Sequence, residues 1–184
     1  MPTSVADPSG ANYEGTPFVF ISGDRDPDSP PQYCTRPPCS SPGIHPGSRY
    51  GATSWTQRDG KLWMFGGRGF ANAAESNAGC SSACTYLGDY WSANARDGVW
   101  TWEGGSQRDA AGAAYHASGN NNQHPGSRMM AAGWTDSRND IAYMLGGLGH
   151  VTRSSGGHMN DLWAFNMSLV RRFALMHRLR SCSR

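Results

Sequence analysis

The sequence predicts an all-β chain built from repeated four-stranded antiparallel units, and three observations carry that prediction. His45-Pro46-Gly47-Ser48-Arg49 recurs as His124-Pro125-Gly126-Ser127-Arg128, and Trp55 as Trp134, always 79 positions on; Gly66-Gly67 recurs as Gly146-Gly147, 80 on. Self-similarity at a fixed period marks an architecture made by stacking one supersecondary unit. Composition adds that 24 Gly, 11 Pro and 7 Trp stand against only 38% hydrophobic residues, as short aromatic strands between many turns require. Asp-Gly pairs at 59–60 and 97–98, each between alternating apolar segments, are hairpin signals.

Residues 1–16 are polar and aperiodic, an N-terminal segment without regular structure. Segment 17–23 alternates large and small residues, and Phe18, Phe20, Ser22 and Gly23 fall 82 positions before Trp100, Trp102, Gly104 and Gly105. It reads as the final strand of a preceding unit. A first complete unit then spans 24–105. Its entry segment, 24–44, holds six of the eleven prolines and reads as a long loop, because proline lacks the N–H a ladder needs. Strands are expected at 49–56 and 61–65 around the 57–60 turn. After a loop at 68–85, two more are expected at 86–94 and 99–104, joined by the Asp97-Gly98 turn.

The second unit, 106–167, repeats the order. A loop at 106–123 leads to strands at 128–135 and 139–145, a shorter loop at 148–157, and a strand at 158–166. Here Asp161, Trp163 and Asn166 match Asp89, Trp91 and Asn94, 72 positions earlier. The expected fourth strand is replaced by 168–184, a basic tail that matches nothing upstream.

At the double glycines, at Gly-Asp-Tyr-Trp (88–91) and Asn-Asp-Leu-Trp (160–163), and at Trp-Thr-Trp-Glu-Gly-Gly (100–105), the chain resembles the kelch family of β-propeller repeats. It is closest to a Trp-rich, long-loop subtype, and the likeness covers about residues 17–167. The resemblance implies an incomplete kelch-type β-propeller of four-stranded antiparallel blades. Gly66, Gly67, Gly146 and Gly147 would close strands with positive φ and admit a neighbouring backbone. Trp91, Trp100, Trp102 and Trp163 would supply buried faces between blades. A kelch unit runs about 50 residues, whereas this one is lengthened to about 80 by loop insertions. Propellers close with about four to eight blades. Two blades therefore imply a fragment, a truncated gene model or a piece that needs missing blades or self-association for closure.

The net charge of +2 hides an asymmetry, because Arg171, Arg172, Arg178, Arg180 and Arg184 all lie in the tail, leaving 11 basic against 14 acidic residues before it. A body at −3 is not a nucleic-acid surface. No run approaches the roughly 20 apolar residues that span a bilayer, and the N-terminus shows no secretory signal. Leu169, Val170, Phe173, Met176 and Leu179 with the tail arginines fit a basic amphipathic helix less well than off-frame sequence.

In an up-and-down blade alternate connections emerge together, so the turns at 57–60 and 95–98 should share one side. The insertions 24–45, 68–85, 106–124 and 148–157 should share the other. Long loops on a rigid scaffold are where recognition resides. The function expected is a protein-interaction scaffold that holds a protein partner on this loop face. Alternatives are a fragment of a secreted kelch-like copper oxidase acting on carbohydrate, or a nonfunctional truncated product. Cys34 with Cys39 and Cys80 with Cys84 are candidate disulfides within their loops, with pairing across the loops also open. Paired, they would favour an extracellular setting.

No cofactor is expected and no catalytic or metal residue is assigned. Asp24-x-Asp26-x-Asp28 lacks the later Gly and Glu of a calcium loop. His116, His124, His150 and His158 map to the loop face, but the recurrence of His124 as His45 argues for a structural role. Asn166-Met167-Ser168 fits a glycosylation acceptor only as a short, common match.

Overall fold

The computed structural model describes residues 20–71, 84–107, 111–115, 123–152 and 155–169. It is all-β, with antiparallel sheets that do not close into a barrel. In unit 1, β1 (Arg49–Tyr50) and β2 (Thr53–Thr56) are followed by β3 (Leu62–Phe65) and β4 (Arg68–Gly69). Then come β5 (Thr85–Tyr86), β6 (Gly88–Ala93) and β7 (Trp100–Ser106). Unit 2 holds β8 (Arg128–Met129), β9 (Ala132–Asp136), β10 (Ile141–Thr152) and β11 (Ser155–Asn166). Among these residues no helix is long and apolar enough to cross a membrane.

The main sheet of unit 1 is a four-stranded meander, β2-β3-β6-β7, prolonged at one end by β1-β4-β5. Unit 2 repeats it with β9-β10-β11, prolonged by β8 pairing the far end of β10. The expected first strand of each unit is split because the chain turns through positive φ, at Gly51 (66°) and at Met130 (55°). Segment 17–23 is corrected in part: residues 20–23 belong to no strand, and 17–19 lie outside the described residues. Instead Ile21 and Ser22 pack on the β6–β7 turn, where a Cβ at Gly98 would meet Ser22 Cβ at 2.6 Å. The 148–157 loop is a second correction, since β10 and β11 stay paired through His150↔Gly156 and Thr152↔Ser155.

Residues directly opposite in an antiparallel ladder share a face. One face of unit 1 therefore carries Trp55, Trp63, Phe65 and Tyr90. Its partner is the face of unit 2 carrying Ala142, Met144, Trp163 and Phe165. Together they form the hydrophobic core: Trp63 is 2% exposed, Met144 3% and Met167 0%. Phe165 sets its ring edge against Trp63 (5.3 Å) and Tyr90 (5.4 Å). Polar contacts fix the register, with Trp55 Nε1 donating to Tyr143 O (2.9 Å) and Thr53 Oγ1 to Ala131 O (3.1 Å). Arg58 N adds a bond to Asp140 Oδ1 (3.1 Å).

The double glycines are where the units join. Gly66 and Gly67 hold φ of 64° and 99°, and Gly146 and Gly147 hold 66° and 99°. Gly67 N donates to Arg128 O (2.9 Å), and Arg128 N donates to Leu87 O (3.0 Å). A Cβ at Gly66 would collide with that Arg128 carbonyl, so this seat for the next unit's first strand requires glycine.

Candidate functional site

The side chains that position the loops form a duplicated clasp. In unit 1, Arg49 Nη1 and Nη2 reach Asp89 Oδ1 and Oδ2 at 2.7 and 3.0 Å. Trp91 Nε1 (2.6 Å) and the Tyr33 hydroxyl (2.8 Å) donate to the same Oδ2. Unit 2 reproduces every contact: Arg128 reaches Asp161 at 2.6 and 2.8 Å, with Trp163 Nε1 at 2.6 Å and the Tyr115 hydroxyl at 2.9 Å. The arginines also donate to the Gly66 carbonyl (3.1 Å) and the Gly146 carbonyl (2.7 Å), bracing the double glycines. Their Nε groups hold the Pro46 and Pro125 carbonyls, each at 3.0 Å.

Both carboxylates spend their acceptor positions on these donors. Asp89 is fully buried, and the Arg49 side chain is 5% exposed. Burial pushes the Tyr33 hydroxyl well up, and the Asp89 charge adds to it, so the phenol stays protonated at neutral pH. Burial also raises Asp161, but hydrogen bonds from Arg128, Trp163 and Tyr115 outweigh it and hold the carboxyl at about 2. The clasp thus has no free acid, base or nucleophile; what it does is pin a loop tyrosine to a strand.

Those tyrosines belong to the entry loops, and the loop backbone pairs identically in both units. Gln32 bridges His45 and Ala114 bridges His124. Ser48 N donates to Ser29 O, and Ser127 N to Ala111 O, both at 2.7 Å. The repeat therefore extends upstream of the histidines, at an offset of 82 for Tyr33 and Tyr115. Because the histidines are 79 apart, the second loop is three residues shorter between its fixed ends. This extension escaped sequence reading; the recurring Tyr was its one visible signal.

At the long-loop end, Gln107 Nε2 donates to Cys34 O (3.4 Å), and the Tyr86 and His150 rings meet edge to face at 5.3 Å. At the other end the turns at 57–60 and 95–98 line one cleft, at Asp59, Gly60, Asn94 and Arg96. The 24–45 loop does more than lie at one end. Cys39 pairs with Trp102 through two backbone bonds (3.0 and 2.9 Å), so the loop runs down the outer edge of β7 and covers it.

Cys34 and Cys39 form a disulfide inside this loop, their Cα atoms 6.5 Å apart. Cys84 is disulfide-bonded as well, while Cys80 lies outside the described residues. Trp91 and Trp102 are buried, at 0% and 4%, on the face of unit 1 turned away from unit 2. There Tyr33 covers both, with ring centroids 5.4 and 5.1 Å away. Trp100 is half-buried beside them, and Trp163 packs against the core between units. Towards unit 2, unit 1 presents Trp55 and Trp63, which share the opposite face.

His45 Nδ1 accepts from Gly47 N (3.2 Å), so it caps its own turn. His116 lies outside the described residues, within which no three His, Cys, Asp or Glu side chains cluster as metal ligands. Asp24 accepts from Asp26 N (3.1 Å) and the Ser29 hydroxyl (2.8 Å), a local turn. An apolar cleft of about 220 Å³ separates the units, lined by Trp55, Trp63, Phe65 and Phe165, with His124 at its rim. It is smaller than the roughly 300 Å³ at which ligand pockets begin. No protein-family model matches the chain, and no curated protein matches it.

Proposed function

We propose that the chain is part of a kelch-type β-propeller and serves as a protein-interaction scaffold, its partner held by the long loops on one face. The observation that supports this reading is the duplicated Arg–Asp–Trp–Tyr clasp, which ties an entry loop to a rigid strand in each unit. A loop ordered before it meets its partner loses less conformational freedom on binding. The Cys34–Cys39 staple restrains the same loop, while Arg36 between them stays exposed.

Site-specific photocrosslinking tests the reading. A benzophenone side chain at Arg36 in the long loop should capture a discrete protein partner, and one at Arg96 in the opposite turn should not. Capture from Arg96 alone, or equal capture of the same protein from both positions, would sink the reading.

A further inference from the structure

We propose that this chain assembles head to tail with further copies of itself, the open face of unit 2 seating on unit 1 of the next copy. The face of unit 1 that unit 2 buries has a full counterpart in unit 2. Trp55, Phe65 and Tyr90 correspond, at offsets of 79, 80 and 72, to Trp134, Leu145 and Leu162. Ladder pairs Ala132↔Leu145↔Leu162 and Trp134↔Tyr143↔Ala164 place them on one face. Trp55 and Phe65 are each 7% exposed, whereas Trp134 is 46%, Leu145 41% and Leu162 61% exposed. A contiguous apolar face of this kind is uncommon on a protein that works alone.

The backbone seat is repeated too. Where Gly66 lies against the Arg128 carbonyl, Gly146 keeps the same positive φ, and among the described residues a Cβ there would meet only Met159. The strand that fills the first seat begins Pro125-Gly126-Ser127-Arg128, and a second copy offers the identical Pro46-Gly47-Ser48-Arg49. Seated in the same way, Arg49 N would donate to Met159 O and Arg49 O would accept from Gly147 N.

Side-chain volumes match this occupant at two places, while Phe65, Tyr90 and Met167 give way to the smaller Leu145, Leu162 and Ala95. In the interface within the chain, Gly133 faces Thr53, and a Cβ on it would lie 2.6 Å from Thr53 Cγ2. Between copies the corresponding residues are Ser54 and Ala132, so the added bulk of the serine meets a residue that lacks Cγ2. The cross-strand pair Ala142↔Phe165 becomes Leu62↔Ala93, exchanging small and large at nearly constant volume. Volume-conserving exchanges are the ones that packed cores tolerate. Two polar contacts are not reproduced, because Ala132 replaces the Thr53 hydroxyl and Gly60 the Asp140 carboxylate. The junction between copies is therefore weaker than the one within the chain.

The interface joins two different surfaces, so it either closes into a ring or grows. A ring of about four to eight units would take two to four copies. Light scattering with the full chain at about 100 µM, far above a micromolar dissociation constant, should give a discrete mass of two to four chains. Leu162→Glu, on unit 2, and Leu62→Arg, on unit 1, should each give monomers that still unfold cooperatively in urea. Mixed in equal amounts they should form dimers, because each variant retains the surface the other has lost. A monomeric wild type overturns the proposal, as does assembly that survives Leu62→Arg, which would mean that like faces pair. A mixture that stays monomeric overturns it as well.

Discussion

In unit 1 the face of Trp55, Trp63 and Phe65 is sealed by unit 2, whereas its counterpart in unit 2, Trp134, Tyr143 and Leu145, meets solvent. The clasp carboxylates differ in the same direction, Asp89 being 0% exposed and Asp161 13%, whereas the arginines do not, Arg49 being 5% exposed and Arg128 0%. Tyr33 lies half-buried over two tryptophans, and Tyr115 is 52% exposed. The two units share residues, offsets and backbone angles, so the difference in burial comes from neighbours. One sequence pattern is therefore a core in one copy and a surface in the other, and paired substitutions separate what a residue does within its unit from what its neighbour adds.

The largest contrast should come from the clasp carboxylates. Asp89→Ala leaves a buried guanidinium and two further donors without an acceptor, a loss of about 3–5 kcal/mol. Asp161→Ala also strands a buried guanidinium, since the Arg128 side chain is 0% exposed, but water reaches the 13% exposed Asp161 position, so the loss should be about 2–3 kcal/mol. Urea denaturation of both variants measures this, and equal losses would mean that burial does not set the strength of the clasp. The double glycines come next. Gly66→Ala and Gly146→Ala share the strain of a left-handed alanine, about 1–2 kcal/mol. Only Gly66→Ala also displaces the Arg128 carbonyl, so its loss should rise to about 3 kcal/mol. Identical midpoints in urea would show that the seat is not where the units are held.

The smallest effect concerns acid. The Asp161 carboxyl sits at about 2 in the folded chain, below its usual value near 3.9. Between these limits the unfolded state binds more protons, so this contribution is complete above about pH 4 and fades as the pH falls towards 2. Asp161→Asn should flatten that part of the curve of melting temperature against pH; parallel curves from pH 5 to pH 2 would count against the assignment.

Much of the fold was legible because its signals are local or periodic. Asp97-Gly98 marked the β6–β7 hairpin, and the offsets of 79, 80 and 72 aligned the strands of unit 2 before their pairing was known. What was not legible depends on backbone or on distant partners. The 148–157 segment reads as loop by its Ser and Gly content, but its ladder is made by main-chain groups to which composition is indifferent. The clasp joins Tyr33 to a carboxylate 56 residues away, and Tyr115 to one 46 away. That separation differs between the units, so no fixed spacing betrays it. That Trp55 and Trp63 face unit 2 while Trp91 and Trp102 face the other way was not legible, because the four look no different in sequence and only the side of the sheet distinguishes them.

Pinning each entry loop at its tyrosine and again at its histidine has a consequence for how such a chain changes over generations. Between those points unit 1 carries the disulfide and a longer path, while unit 2 is three residues shorter, yet the bonds at both ends are the same. The entropic penalty of that extra length is only about 0.3 kcal/mol by the logarithmic dependence of loop closure. The stretch between the pins is a cassette: its length and chemistry are free to diversify while the strand beneath keeps its register.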